Sequence, residues 1–226
     1  MKKNLISLAL VSLLASNAVV AASYEAGDFV IRGGVTMVSP DEGKSAVLLG
    51  GADSTMSISV DDNTQLGLNF VYFFDSNWAV EVLAATPFTH EVTIHDPNAV
   101  LGVDGATLGE VSHLPPTVSA LYYFETGTNL KPYVGAGLNY TIFFDEEFKS
   151  GPESLGLSDL ELDGSFGFAL QVGADYQLNE KWHINASARY IDIGTDATFD
   201  VGGDSIGKAE VDVDPMVFSV MLGYKF

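Results

Sequence analysis

Over residues 165–178 the chain alternates without a break. Phe166, Phe168, Leu170, Val172, Ala174, Tyr176 and Leu178 take every second position, and Gly167, Ala169, Gln171, Gly173, Asp175 and Gln177 stand between them. A period of two is that of a β-strand with unlike faces. The run is longer than most soluble sheets use; about ten tilted residues is what crossing a bilayer takes, with the apolar face to lipid. The same alternation recurs over 29–37, 64–74, 78–85, 116–124, 131–144, 182–190 and 215–226. The spacing therefore predicts eight strands.

Their connections alternate in length. Segments 39–63, 90–113, 145–164 and 194–214 are long and read as loops, the first with a short strand extension at 56–60, whereas Asp75-Ser76-Asn77, 125–130 and Asn179-Glu180-Lys181 are short turns. Long and short in strict turn is the connectivity of a transmembrane barrel, long loops outside and short turns in the periplasm. The aromatics agree: Phe29, Tyr72, Phe74, Trp78, Tyr122, Phe124, Tyr176, Trp182 and Tyr224 fall at the short-turn ends facing lipid, and Tyr140, Phe166, Phe168, Tyr190 and Phe218 lie towards the other rim. A soluble barrel would hide its apolar residues inside. The fold class is all-β: an eight-stranded antiparallel transmembrane β-barrel with four long extracellular loops and short periplasmic turns.

The N-terminus fits this destination. Lys2 and Lys3, an apolar run from Leu5 and a small-residue tail predict a signal peptide over 1–21, cleaved after Ala21 or Ala22. No later run has the length of a membrane helix, which leaves a closed barrel as the way to satisfy the backbone in lipid. The expected location is the outer membrane of a Gram-negative bacterium. Cysteine is absent, and 30 acidic residues oppose 10 basic ones for a net charge of −20. That balance argues against nucleic acid as a partner. The expected partners are outer-membrane lipid and lipopolysaccharide, small hydrophobic solutes and the barrel-insertion machinery, the barrel itself being a monomer; no cofactor is expected.

The segments NTQLGL from Asn63, EVLAATPF from Glu81, HLPPT from His113, KPYVGAGLNYTIFFDEEF from Lys131, LSDLELD from Leu157 and the ending GYKF span nearly the whole mature chain. Together they resemble the OmpW family of small outer-membrane proteins. The resemblance implies a narrow, mainly apolar lumen that passes small hydrophobic molecules inward. The competing function is a non-transporting barrel whose acidic loops meet cations, lipopolysaccharide, phage or host surfaces. One position departs from the family pattern: Arg189 stands, facing inward, where members typically carry an aromatic.

The inward positions divide by chemistry. Phe73, Leu83, Ala85, Leu121, Tyr123, Phe143 and Ile191, with Arg189 among them, would line a substrate path, whereas Arg32, Glu81, Asp175, Arg189 and Lys225 form a charge network. An eight-stranded lumen holds side chains or one slim ligand, so the charges either flank a path or pair and plug it. Pro87, Pro115 and Pro116 have no N–H to give a ladder; they either end strands or mark a lateral opening. The acid-rich segments 145–164 and 192–214 are a solvated rim more readily than a Ca²⁺ site, since their spacing fits no EF-hand, and no metal site is assigned. His90, His95, His113 and Ser112 invite comparison with a hydrolase, but Ser112-His113 adjacency supplies no nucleophile–base geometry, so no enzyme is expected. Tyr224 and Phe226 end an alternating strand and resemble an assembly signal.

Overall fold

The computed structural model describes residues 23–40, 45–49, 52–99, 102–154 and 156–226; the expected signal peptide lies outside them. Eight strands form one closed ring: β1 (Phe29–Ser39), β4 (Asn63–Phe73), β5 (Trp78–Ala85), β8 (Thr117–Tyr123), β9 (Leu130–Phe148), β11 (Ser165–Gln177), β12 (Trp182–Ile191) and β15 (Met216–Lys225). Each pairs antiparallel with its neighbours, and the β8–β9 ladder closes the ring. The alternation sets the faces. Phe166, Leu170 and Val172 are 69%, 51% and 57% exposed, whereas Ala169 and Gln171 between them are buried. Large apolar side chains cover the outside, and charged and amide side chains such as Arg32, Glu81, Asn69 and Gln171 are buried within, which no soluble core would do.

The short ends turn tightly. Asp75 Oδ1 accepts the N–H groups of Asn77 and Trp78 at 2.8 and 2.7 Å, closing the β4–β5 turn. Rings gather at this rim: Trp78 on Tyr122, Tyr122 on Phe124, and Trp182 on Tyr224 and Tyr224 on Phe226, with centroids 4.8–5.1 Å apart.

The four long connections are present as expected, and they are structured well beyond the strand extension expected at 56–60. They carry β2 (Ser45–Leu49) and β3 (Ala52–Val60), β6 (Phe88–His95) and β7 (Thr107–Leu114), the short helix α1 (Ser150–Ser154) with β10 (Leu157–Leu162), and β13 (Gly194–Val201) and β14 (Asp204–Asp212). With the upper half of β9 these strands run in the order β10-β13-β14-β2-β3-β6-β7-β9 and build a second tier on the ring. Turn-forming residues hid the strands from a reading by composition, but their inward positions Val47, Met56, Ile58, Ile94, Ala197, Ala209 and Val211 make one buried cluster. Burying that face is what folds the segments.

Prolines mark the boundary between tiers. Pro40, Pro87, Pro115, Pro116 and Pro215 all stand between a ring strand and a second-tier strand, where a residue without an N–H can end one ladder and begin another. At β5 and β8 the ring ladder ends at Leu83↔Thr117 and the second-tier ladder resumes at Phe88↔His113. Groups in this interval bond away from it: the Thr86 N–H to Leu66 O at 3.0 Å, and Pro116 O to the Tyr140 N–H at 3.2 Å. No ladder bond spans the interval among the described residues.

Candidate functional site

Alternation aims Arg32 of β1 into the lumen, where it is fully buried. Its Nη1 donates to Glu81 Oε2 at 3.1 Å, its Nη2 to Asp175 Oδ2 at 2.7 Å and to the Tyr123 hydroxyl at 2.5 Å, and its Nε to His183 Nε2 at 3.2 Å. Glu81 also accepts from Arg189 Nη2 at 2.5 Å, Asn69 at 2.9 Å and Gln171 at 3.0 Å, and Arg189 donates to Gln171 Oε1. Asp175 accepts from Tyr24 at 2.7 Å and Asn185 at 2.7 Å. Two guanidinium and two carboxylate groups thus cancel in charge and fill the section of the barrel. A buried pair needs its remaining donors and acceptors met; the amide and hydroxyl side chains meet most of them, and Arg189 Nε is left without a partner.

Arg32, Glu81, Asp175 and Arg189 are therefore brought together, but Lys225 is not. Its Nζ pairs with Asp28 at 3.1 Å at the periplasmic rim, because the last residue of β15 is too low to reach the layer. The expected apolar residues also divide. Phe73, Leu121 and Tyr123 pack with Tyr24, Val30, Val71, Ala79 and Tyr133 at the periplasmic end. Ile191, with Ala85 and Phe143 against it, belongs to the second-tier cluster; Leu83 is buried one inward position above Glu81. The lumen thus holds two apolar clusters with the charged layer between them.

Tyr24 is the residue that sequence reading missed. It precedes β1, is 1% exposed, and stacks on Phe73 with centroids 4.0 Å apart while reaching Asp175. No periodicity covers it, since it enters the lumen from the end. His183, Gln171 and Asn185 had the signal of inward parity.

Above the layer lies an apolar cavity of about 110 Å³, walled among others by Met56, Ile58, Ile94, Val111, Phe143 and Val213. His90 and His113 also line it. The two imidazoles meet Nε2 to Nε2 at 3.0 Å, and His90 Nδ1 lies 2.6 Å from the Asp61 carbonyl. Burial pushes both below the ordinary imidazole range, and with His90 beside it His113 falls to about 3. His95 stands apart, bonded to Ser59 at 2.8 Å, and Ser112 bonds Thr89; neither joins a nucleophile–base pair. Glu146, Glu147, Glu153, Asp159 and Glu161 line an open hollow beside β10. No cluster of three or more metal-ligating side chains occurs among the described residues.

The lipid-facing ring with its polar lumen defines a class, the small eight-stranded barrels of the Gram-negative outer membrane. The chain belongs to the OmpW family, whose model matches residues 25–226. It is 44% identical over 227 residues to outer membrane protein W of Vibrio cholerae, covering all of both chains. The crystal structure of OprG from Pseudomonas aeruginosa superposes with a TM-score of 0.83 at 41% identity, over 90% of this chain and 98% of that one. A more distant relative, the dibenzothiophene metabolism operon protein PahQ of Pseudomonas aeruginosa, is 28% identical over 202 residues, 89% of this chain and 90% of that protein.

Proposed function

We propose that the barrel passively admits small hydrophobic solutes from outside into the second-tier cavity and releases them sideways into the bilayer between β5 and β8. The observation that carries this reading is an apolar cavity above a layer of paired charges. A solute that gains about 25 cal/mol per Å² by leaving water would have to break the bonds of Arg32, Glu81, Asp175 and Arg189 to continue downward. Sideways, it meets Leu83 and the interval framed by Pro87, Pro115 and Pro116, where no ladder has to be opened. That one relative is named for an operon of dibenzothiophene metabolism supports an apolar solute class. A closed layer also favours the alternative, a non-conducting barrel whose acidic outer tier faces its surroundings.

Uptake of a hydrophobic reporter separates them, in cells lacking the native protein and complemented with wild type, Leu83→Arg or Ala84→Cys/Pro116→Cys. The chain has no native cysteine, and positions 84 and 116 are next in the β5–β8 register. Wild type should speed uptake; Leu83→Arg, and the cysteine pair when oxidised, should stop it while the barrels remain heat-modifiable. Unchanged uptake after cross-linking would refute the lateral exit. Equal uptake with and without wild type would refute conduction altogether.

A further inference from the structure

The second-tier cavity presents almost no polar surface to a solute. Three of the side chains that line it carry nitrogen or oxygen, Thr195, His90 and His113, and each of their polar atoms is engaged elsewhere or sealed. The Thr195 hydroxyl donates to Asp163 O at 2.6 Å. His90 Nδ1 lies 2.6 Å from the Asp61 carbonyl, and the two imidazoles meet Nε2 to Nε2 at 3.0 Å. The remaining nitrogen, His113 Nδ1, has no exposed surface, so nothing lodged in the cavity can touch it.

Such a wall selects by what it withholds. A hydrocarbon entering it gains from burial over its whole surface. A hydroxyl or amide entering the same space gives up its hydrogen bonds and finds no replacement, the penalty that keeps unpaired polar groups rare in protein interiors. A carboxylate or an ammonium is penalised far more. Water cannot stand in as a bridge, because it needs two or more polar partners of its own. The volume of about 110 Å³ is on the scale of the dry apolar cavities of about 150 Å³ that take a benzene-sized molecule.

We propose that the second-tier cavity is a polarity filter, binding unsubstituted hydrocarbons about one ring in size and rejecting their hydroxylated, carboxylated and amino counterparts. The inference rests on the cavity being the entry site for solutes. The discrimination falls on the polar group of the solute and not on its outline, so toluene and phenol, alike in shape, are told apart. An oxidised derivative of an accepted solute does not share its site.

The test titrates toluene and phenol, at matched concentrations in the bilayer, onto the full barrel in lipid nanodiscs with ¹³C-labelled isoleucine and valine methyls. Toluene should shift the methyls of Ile58, Ile94 and Val111, which line the cavity. Phenol should reach the same shifts only at about tenfold higher concentration or more, the effect of one unmet hydroxyl. Val47→Thr puts a hydroxyl into the wall in nearly the same volume, opposite Ala209, which has no polar side chain to occupy it. That variant should narrow the gap between the probes to about threefold or less. Phenol matching toluene on the wild type would overturn the filter and leave the cavity as an entry site. An unchanged gap in a folded Val47→Thr barrel would overturn the cause assigned to it. Silent methyls with both probes would overturn the filter together with the entry-site reading. If Val47→Thr fails to fold, the wild-type titrations decide.

Discussion

Replacing Arg32 with Met keeps most of its volume and removes its charge, so the layer passes from neutral to one net negative charge. The two carboxylates are not left alike. Glu81 keeps a guanidinium, Arg189, with Asn69 and Gln171, whereas Asp175 keeps Tyr24, Tyr123 and Asn185, with the His183 imidazole 3.7 Å away. Breaking a buried pair by removing one partner costs about 3–5 kcal/mol because the other charge is stranded, and Asp175 is the stranded one. Arg32→Met should therefore destabilise by ~4 kcal/mol. Adding Asp175→Asn should return about half of that, since neutrality is restored while the hydrogen bonds to Tyr24 and Asn185 can be partly remade. Urea unfolding from lipid vesicles, followed through the fluorescence of Trp78 and Trp182, measures both. A loss below ~1 kcal/mol, or losses that simply add in the double variant, would show that the lumen is hydrated at this level and that the layer is not a coupled plug.

The buried histidines make stability depend on pH. The folded pKa of His113 is depressed to about 3 from about 6.5 in the unfolded chain, so between these values the unfolded state binds the extra proton and stability falls as pH falls. At pH 5 the loss from this group is ~2 kcal/mol; equilibrium unfolding of His113→Phe should show a flatter slope, and an unchanged slope would refute the assignment. Gly223→Ala should destabilise by ~1–3 kcal/mol, because a Cβ there would stand 2.1 Å from His183 Nε2 and push that ring off Arg32; wild-type urea midpoints would count against it. Tyr24→Ala should cost ~3 kcal/mol through the lost stack on Phe73 and the lost bond to Asp175, read as a lower urea midpoint with a heat-modifiable barrel retained. Deleting Phe226, which is 65% exposed and whose N–H bonds Phe29 O at 2.9 Å, should lower the yield of inserted barrel in cells; normal heat-modifiable yield would contradict an assembly role.

The ring was legible because a single physical rule, lipid outside and polar side chains inside, acts on every second residue. It placed Arg32, Glu81, Asp175 and Arg189 on the inward face without error. What it could not supply was height. Lys225 shares their parity, yet it sits at the rim with Asp28, and only the stagger between strands distinguishes the two levels. The second tier was harder, since its outward face meets water and its strands are broken by turn residues such as Gly202 and Gly203, both at positive φ. There the apolar alternation is weaker, and Val47, Ile58 and Val211 read as stray apolar residues in polar segments. Tyr24 and the His90–His113 pair depend on contacts between distant segments, which no local pattern encodes.

The ring of prolines between tiers has a consequence for how such a chain can change. In a continuous hairpin, inserting one residue reverses the facing of everything beyond it until a bulge absorbs the slip. Here the ladders already restart at Pro40, Pro87, Pro115, Pro116 and Pro215, so a slip above them stops at the joint. Away from β9, which runs unbroken through both tiers, the outer tier can lengthen, shorten or be exchanged for a foreign hairpin while the spanning ring keeps its frame. The barrel is in effect a fixed socket with a replaceable crown.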